Sequence, residues 1–129
     1  PYQSGDTSMS KHTVVCYGSL KRGFGNHRLL ENSELINEEV FFTGKMASLG
    51  GFPCVTQHGS TNIKGEMYSV DDETLARLDR LEGHPSFYER KRLHTTGGEA
   101  WVYLIDQPSY YEDGRRIVKS GNWGQEEAA

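Results

Sequence analysis

Only one segment of this chain, residues 71–81, carries a full set of helix signals. Acidic side chains crowd its first turn, where the helix dipole favours them, and Gly83 follows as a C-terminal stop. The other apolar segments are short and rich in β-branched and aromatic residues, which predicts strands over residues 13–17, 39–49, 52–56, 63–70, 87–94 and 100–105. We therefore expect a strand-rich α+β domain, a small mixed β-barrel flanked by short helices.

Turn-forming residues mark the connections between the predicted strands. Asn26 is a good N-cap for a short helix over residues 27–31, and Gly44 predicts a bulge or bend in its strand. Residues 57–62 are rich in turn formers, and Thr96-Gly97-Gly98 predicts a hairpin. No repeat, low-complexity tract or linker interrupts residues 11–125, which are expected to form a single domain.

The length of 129 residues also fits one domain. Residues 1–10 are expected to be a disordered terminus or a remnant of cloning, with Met9 as the natural start, and residues 125–129 are expected to fray. We find neither a signal peptide nor an apolar run of the ~18–20 residues that cross a membrane, so a cytoplasmic protein without a membrane partner is expected. Cys16 and Cys54 are too few for a disulfide scaffold and are expected to be small buried residues.

The charged and metal-binding residue types exclude several classes of function. Fourteen Lys and Arg against eighteen Asp and Glu give a net charge of −4, whereas nucleic-acid binders normally show a basic face. The five histidines have no pair at helical ligand spacing and no Cys-x-x-Cys motif accompanies them, so no metal is expected. Gly23-Phe24-Gly25 is too short for a nucleotide-binding loop. Nucleic acids, metals and nucleotides are therefore not expected as partners.

A carboxylate extends the apolar face of the predicted helix. Leu75, Leu78 and Leu81 are spaced for one helical face, and Glu82 continues this stripe four residues after Leu78. A carboxyl buried at the end of such a stripe has a raised pKa, which suits general acid–base catalysis near neutral pH. The alternative is that fraying leaves Glu82 solvated beside Gly83.

The tetrapeptide Tyr17-Gly18-Ser19-Leu20 lies where the first strand ends and a glycine-containing loop begins. Gly18 permits close backbone approach and a positive φ, which would let the amides of residues 18–20 form a concavity for a carboxylate or an oxyanion. The alternative is an ordinary β-turn. A nucleophilic Ser19 is disfavoured, because the flanking glycines of a nucleophile elbow are absent.

Two pairs of residues near these motifs have structural explanations. Lys21 and Arg22 are beside the turn, where a solvated charge pair is favoured over an anion site. Tyr88 and Arg90 share one face of the strand that follows the helix. We expect a half-buried tyrosine and a surface arginine.

Taken in order, these motifs resemble a known family. The stretch Val15-Cys16-Tyr17-Gly18-Ser19-Leu20-Lys21-Arg22-Gly23, followed by Asn26-His27, resembles the signature of the gamma-glutamylcyclotransferase-like family, and most of all its small gamma-glutamylamine cyclotransferase subgroup and bacterial relatives. Four further matches follow in the expected order: Phe52-Pro53, Gly65-Glu66-Met67-Tyr68, Leu78-Asp79-x-x-Glu82-Gly83 with Tyr88-x-Arg90, and Ser120-Gly121-Asn122-Trp123. The resemblance spans residues 13–123.

The resemblance implies a β-barrel with an active cavity between the 17–20 loop and the end of the helix. It implies that Glu82 is the catalytic acid/base and that Tyr88 lines the cavity. It also implies that backbone amides bind the gamma-glutamyl part of the substrate, namely those of Tyr17, Gly18, Ser19 and Leu20.

The resemblance also implies a reaction. In this family a gamma-glutamyl group is cyclised to 5-oxoproline, and an amine or amino acid is released without a cofactor. Specificity for the leaving group is expected to lie in variable loops such as residues 57–62 or in the tail. The alternatives are a non-catalytic member of the fold that binds a small anion, and a hydrolase that uses Ser19 or Cys16.

Overall fold

The computed structural model describes residues 11–124, so the predictions for residues 1–10 and 125–129 lie outside the described residues. Within that range the strands are β1 Lys11–Cys16, β2 Glu34–Ser48, β3 Pro53–Asp71, β4 Glu89–Thr95 and β5 Gly98–Leu104. The α-helix, α1, spans Asp72–Glu82, and 3₁₀ helices span His27–Leu30, Pro108–Tyr111 and Gly114–Arg116. None of the helices in residues 11–124 has the length and apolar character needed to cross a membrane.

The strands form one mixed sheet in the order β2-β3-β1-β5-β4, with β1 parallel to β5 and the other neighbours antiparallel. The predicted α+β class is confirmed, but the predicted barrel is wrong, because the edge strands β2 and β4 form no ladder within residues 11–124. Closure would require these edges to pair along their length, and β4 has 7 residues against 15 in β2. The connection after β4 still approaches β2 at one corner, where the Thr96 amide donates to the Phe41 carbonyl at 2.9 Å. The sheet is therefore strongly curved but open.

An excursion inside β3 replaces the predicted turn at residues 57–62. β3 is continuous, but its pairing with β2 jumps, so that residues 57–60 have no partner there; the register passes from Lys45↔Thr56 to Gly44↔Thr61. Asp106 supports the excursion, because its carboxylate accepts from the Thr56 hydroxyl at 2.7 Å. A Cβ at Gly44 would lie 2.5 Å from the Thr56 carbonyl oxygen, so only glycine fits. The predicted bulge at Gly44 is confirmed, whereas the predicted break in the strand is wrong.

The ends of α1 have the predicted caps. The Asp71 side chain accepts from a first-turn amide at 2.8 Å, and Gly83 adopts the left-handed conformation with φ 70°. The short helix predicted after Asn26 is a 3₁₀ helix, and Asn26 does not cap it with its side chain. That side chain instead donates to Ser19 Oγ at 2.8 Å.

The apolar face of α1 differs from the predicted stripe at one position. Leu75 and Leu78 are buried, but Leu81 is 42% exposed. At 100° per residue, Glu82 projects between Leu75 and Leu78, whereas Leu81 projects to their side. The helix therefore directs Glu82, rather than Leu81, toward the interior.

Alternate residues of β1 contribute to two core clusters. Val14 and Cys16 pack in the cluster that contains the buried leucines of α1, whereas Val15 packs in the other. Cys16 and Cys54 are both buried and unpaired, as predicted. β1 is thus central to the core, and its C-terminal end leads directly into the 17–20 loop.

Candidate active site

A cavity of about 330 Å³ opens between the 17–20 loop, the end of α1 and the start of β3. Every residue predicted for the site lines it, namely Tyr17, Gly18, Ser19, Leu20, Glu82 and Tyr88. The lining is completed by Val15, Cys16, Asn26, Gly51, Phe52, Pro53, Leu81, Phe87 and Tyr103. The fold therefore brings together segments that are more than 60 residues apart in the chain.

Glu82 is the last residue of α1, and its side chain borders the cavity with intermediate accessibility. Within residues 11–124 its carboxyl has neither a hydrogen bond nor an ion pair, and burial raises its pKa to about 7 from the ordinary 4.5. The ordered C-cap at Gly83 excludes the frayed and solvated arrangement that was the alternative. Glu82 is therefore an unpartnered carboxyl that can be protonated or ionised near neutral pH.

The 17–20 loop combines the two arrangements predicted for it. It contains a β-turn, since the Lys21 amide donates to the Gly18 carbonyl at 3.0 Å. The amides of residues 18–20, however, have no protein acceptor in the described part of the chain. Asn26 holds the loop, because its amide donates to the Ser19 carbonyl at 3.0 Å and its side chain to Ser19 Oγ. The loop is thus fixed, with free donors bordering the cavity.

Gly18 is required because the loop packs closely on Pro53, and not because of the turn itself. A Cβ at this position would lie 2.9 Å from Pro53 Cγ, so the loop packs directly on the start of β3. Gly18 does not have a positive φ, so that part of the expectation is wrong. Close approach, rather than left-handed geometry, explains this glycine.

The tyrosine hydroxyls of the cavity donate to protein acceptors. Tyr17 donates to the Tyr103 carbonyl at 2.6 Å, and Tyr88 donates to the Pro53 carbonyl at 2.5 Å. Tyr103 donates to an Asp79 carboxylate oxygen at 2.7 Å. These hydroxyl protons are therefore engaged in holding the cavity wall.

A partly buried ion pair fixes the end of α1 against the sheet. Arg90 on β4 donates to both Asp79 carboxylate oxygens, at 2.8 and 3.2 Å, and its guanidinium carbon lies 4.4 Å from the centre of the Trp101 ring. The prediction of a surface arginine is therefore wrong. Asp79 also accepts from Tyr103, and one helical turn separates it from Glu82. This cluster positions the backbone that carries Glu82.

Sequence reasoning missed part of this lining. Tyr103 is on β5, and nothing in its local sequence indicates that β4–β5 pairing places it beside α1. Asn26 is predicted as a helix cap and belongs to the family signature, but neither pattern indicates its bonds to Ser19. Leu81 directly precedes Glu82, and Phe87 directly precedes Tyr88. This adjacency to predicted site residues is the one sequence signal that could have placed Leu81 and Phe87 in the lining.

The other candidate groups beside the site are already bonded or poorly reactive. Lys21 is buried and donates to the Trp123 carbonyl at 2.8 Å, so the prediction of a solvated charge is wrong for it. Arg22 is exposed as predicted, and it pairs with Glu66. Burial and, to a lesser extent, nearby carboxylates raise the pKa of the Cys16 thiol far above its usual value. A neutral thiol is a weak nucleophile. Ser19 Oγ accepts from the Asn26 side chain, and within residues 11–124 it donates to no histidine that could act as a base. The hydrolase alternative therefore has no activated nucleophile.

The regions expected to determine specificity lie elsewhere. No residue of the 57–62 segment lines the cavity, and neither does the tail up to residue 124. The backbone amide and the side chain of Gln57 donate to Asp106, which follows β5, and Gly121 packs against Asn62. Residues 51–53, 81 and 87 border the cavity instead.

Comparison with known proteins identifies relatives over nearly the whole chain. Residues 14–125 match the family described as gamma-glutamyl cyclotransferase, AIG2-like. The gamma-glutamylcyclotransferase family protein YtfP of Escherichia coli K12 is 33% identical over 110 residues, which cover 85% of this chain and 94% of that protein. The solution structure of the E. coli protein ytfP has a TM-score of 0.68 at 31% identity, covering 89% of this chain and 98% of that one. The crystal structure of a mouse AIG2-like protein has a TM-score of 0.73 at 22% identity and covers 88% of each chain.

The fold and the site define a small α+β protein with a cavity at the end of its α-helix, where an unpaired carboxyl faces the turn after the first strand. The chain belongs to the gamma-glutamyl cyclotransferase, AIG2-like family. The matched region includes every residue that lines the cavity. The family resemblance expected from the sequence is thereby confirmed.

Proposed function

We propose that this protein is a cofactor-independent gamma-glutamyl cyclotransferase, which converts the gamma-glutamyl group of a small molecule into 5-oxoproline and releases an amine or amino acid. The observation that carries the proposal is the position of Glu82. Within residues 11–124 it is the one acidic side chain that lines the cavity, it has no protein partner, and unpaired amides of residues 18–20 border the same cavity. A carboxyl must be free of fixed partners if it is to exchange protons with a substrate.

The reaction needs one bond to form and one to break. The α-amino nitrogen attacks the γ-carbonyl carbon of the same group, which closes a five-membered lactam, and the bond from that carbon to the leaving nitrogen breaks. Because the attack is intramolecular, the cavity has only to hold one folded rotamer of a single substrate. This requirement suits a cavity of about 330 Å³ in a small domain.

Glu82 can account for both proton transfers. Its carboxylate takes one proton from the α-ammonium group, and the carboxylic acid so formed gives that proton to the leaving nitrogen. The attacking nitrogen loses a second proton as the lactam forms, and this proton passes through Glu82 to the released amine, which departs as an ammonium ion and leaves Glu82 in its starting state. A pKa of about 7 leaves both forms populated at neutral pH. General acid–base catalysis of this kind contributes ~10²–10⁴-fold.

The backbone amides of Gly18, Ser19 and Leu20 can bind the negatively charged groups of the substrate. Backbone N–H groups bind a carboxylate or the oxyanion that develops on the attacked carbonyl, and one such donor contributes about 10²–10³-fold. Their hydrogen bonds are preorganised, because Asn26 holds the loop and Gly18 packs on Pro53. Two elements, a carboxyl and a set of amides, are then sufficient for the chemistry.

The experiment that tests the proposal measures 5-oxoproline after incubation with glutathione, gamma-glutamyl amino acids and gamma-glutamyl amines. We expect turnover of at least one compound and a loss of ~10²–10⁴-fold in kcat for Glu82→Gln. Glu73→Gln is the matched control, since Glu73 is an exposed glutamate in the first turn of the same helix. Activity that survives in folded Glu82→Gln would contradict the mechanism.

A non-catalytic anion-binding protein is the second candidate function, because the same unpaired amides favour it. It predicts that gamma-glutamyl compounds bind without forming 5-oxoproline. Calorimetric titration of the same compounds distinguishes the two candidates. Binding of several compounds with turnover of none would support the second.

A further inference from the structure

A buried carboxylate on β3 lies beside the 17–20 loop but outside the cavity. Glu66 is 9% exposed and does not line the cavity. Its Oε1 accepts from the Arg22 backbone amide at 3.0 Å and from the Tyr68 hydroxyl at 2.8 Å, and its Oε2 accepts from Arg22 Nε at 3.4 Å. Burying a carboxylate is costly unless it is hydrogen-bonded. The bonds that make this burial tolerable are directed at the residue that follows the turn of the loop.

The two ends of the loop both meet β3 at Glu66. Cys16, the last residue of β1, is the partner of Glu66 in the β1–β3 ladder, and beyond the turn the Arg22 amide bonds to the Glu66 side chain. The two strands pack closely here, since a Cβ on Gly65 would lie 2.9 Å from the Cys16 carbonyl oxygen. Residues 17–21 therefore form a closed loop whose start and end are fixed to one residue.

Tyr68 connects the same carboxylate to a second support of the loop. Its hydroxyl donates to Glu66, and its ring contacts that of His27, with centres 6.0 Å apart. His27 Nδ1 in turn donates to the Leu20 carbonyl at 3.0 Å, since a carbonyl oxygen can only accept. Glu66 thus supports the loop directly at Arg22, and through Tyr68 and His27 at Leu20.

The geometry of this loop matters because its backbone amides are the proposed anion donors. The amides of residues 18–20 have no protein acceptor in the described part of the chain. Donors of this kind stabilise developing charge only when they already lie where the charge appears. The Lys21 amide closes the turn onto Gly18, and the next amide, that of Arg22, is the one that Glu66 holds. The hydrogen bond to Glu66 therefore adjoins the donors that the reaction needs.

We propose that Glu66 is a positioning residue for the cyclisation, which keeps the amides of residues 18–20 in their donor geometry by accepting from the Arg22 backbone amide. This inference rests on the proposed function, since it concerns the loop to which that function assigns the anionic groups of the substrate. Glu66 acts here as a hydrogen-bond acceptor at a fixed distance from β3. Its charge and its ion pair with the Arg22 guanidinium are not required for this role.

Two substitutions of Glu66 separate the position of the acceptor from the charge. Glu66→Asp keeps the charge but withdraws the acceptor from the Arg22 amide by one methylene group. Glu66→Gln removes the charge but keeps an amide oxygen that can accept from Arg22 and Tyr68. We expect kcat/KM for 5-oxoproline formation, with the gamma-glutamyl compound that the wild type cyclises fastest, to fall at least about tenfold in Glu66→Asp, because a misplacement of about 1 Å can cost ~10²-fold.

Glu66→Gln is expected to stay within about fivefold of the wild type. The lost ion pair involves an arginine side chain that is 47% exposed, and such pairs contribute little. Arg22→Ala removes the same ion pair and keeps the backbone amide, so it should behave like Glu66→Gln. The reverse order, with Glu66→Asp active and Glu66→Gln or Arg22→Ala impaired, would overturn the inference, because the charge would then be the essential feature.

Asp106→Ala is the matched control for a loss of stability. Asp106 is also a partly buried carboxylate that accepts from a backbone amide, that of Gln57 at 3.0 Å, and from a lysine, but it does not line the cavity or hold the 17–20 loop. We expect Asp106→Ala to lower the free energy of unfolding and to leave kcat/KM of the folded protein unchanged. Equal activity of folded Glu66→Asp and folded Asp106→Ala would also overturn the inference.

NMR of the loop amides tests the same role without turnover. In protein labelled with nitrogen-15, Glu66→Asp is expected to shift or broaden the amide signals of residues 18–20 and to speed hydrogen exchange at Arg22, whereas Asp106→Ala leaves these signals in place. Unchanged loop signals in Glu66→Asp would show that Glu66 does not hold the loop.

The two readouts distinguish failure of this inference from failure of the proposed function. If the wild type forms 5-oxoproline and Glu66→Asp is equally active, only the role of Glu66 is wrong. If no gamma-glutamyl compound yields 5-oxoproline, the proposed function is wrong and the role of Glu66 in cyclisation falls with it, while the amide signals still report whether Glu66 fixes the loop.

Discussion

Asp79 and Glu82 are acidic residues one turn apart on α1, and their surroundings differ completely. Asp79 accepts two hydrogen bonds from Arg90 and one from Tyr103. Burial alone would raise its pKa, but these bonds outweigh burial and hold the pKa below its usual value. Glu82 has no such partner within residues 11–124, and burial raises its pKa to about 7.

The difference teaches which carboxyl is structural and which is available for chemistry. A carboxylate held by arginine stays ionised and fixes the position of the helix, but it cannot readily exchange protons. An unpaired buried carboxyl destabilises the fold when it ionises, and it is poised to accept or give a proton near pH 7. The helix thus anchors itself with Asp79 and presents Glu82 to the cavity.

The largest effect expected from this comparison is the loss of unfolding free energy when Asp79 is replaced. Asp79→Ala leaves the Arg90 guanidinium and the Tyr103 hydroxyl without their acceptor, and breaking a buried pair of this kind costs about 3 kcal/mol of unfolding free energy. Both side chains of the pair are only about a fifth exposed, at 22% and 19%. Denaturant unfolding at pH 7 measures the change.

Glu73→Ala on the same helix is the control for that measurement. The Glu73–Arg77 pair is short, at 2.6 Å, but its side chains are 72% and 50% exposed. An exposed pair spaced i,i+4 contributes about 0.3–0.5 kcal/mol. If both variants lost the same small amount of stability, Asp79 would not be the anchor that the contacts indicate.

Glu82→Gln is expected to change stability in the opposite direction. Since the folded chain holds the Glu82 proton up to about pH 7 and the unfolded chain only to about 4.5, stability falls as pH rises between these values. The neutral glutamine removes this loss. We expect the free energy of unfolding of Glu82→Gln to exceed that of the wild type by on the order of 2 kcal/mol at pH 8, with little difference at pH 4. Thermal unfolding at the two pH values, with Glu73→Gln in parallel, measures it, and a destabilised Glu82→Gln at pH 8 would contradict the expected sign.

The features of the site that could be predicted are those that follow from local rules. Acidic residues and Gly83 mark the ends of α1, and the positions of Leu75 and Leu78 indicate the inward face that Glu82 shares. An apolar strand that ends at Tyr17, followed by Gly18, predicts a loop whose amides form a concavity. These inferences need only the geometry of a helix or a strand. That the carboxyl and the loop meet at one cavity is implied by the family resemblance and not by these local rules.

The features that could not be predicted depend on how distant strands pair. Whether β2 and β4 close a barrel depends on their relative lengths and on whether their edges meet, which no local pattern records. The burial of Arg90 depends on Asp79 and Trp101, which come from α1 and β5. For the same reason the composition of residues 57–62 predicts a turn, although pairing with β2 on both sides of residues 57–60 makes β3 one long strand.

The smallest expected effect is the pH dependence of the proposed reaction, and it tests why Glu82 differs from Asp79. Because the carboxylate of Glu82 must take a proton from the substrate, kcat/KM should rise with pH through about 7, and it should be about tenfold lower at pH 6 than at pH 8. Burial, rather than a neighbouring charge, raises the pKa of Glu82, so Asp79→Asn should leave the midpoint near 7 even though it weakens the fold. Initial rates of 5-oxoproline formation between pH 5 and 9 measure the midpoint in both proteins. A midpoint near 4.5 in the wild type would mean that Glu82 is solvated in the working protein, and a midpoint that moves with Asp79→Asn would mean that the two carboxyls of α1 are electrostatically coupled.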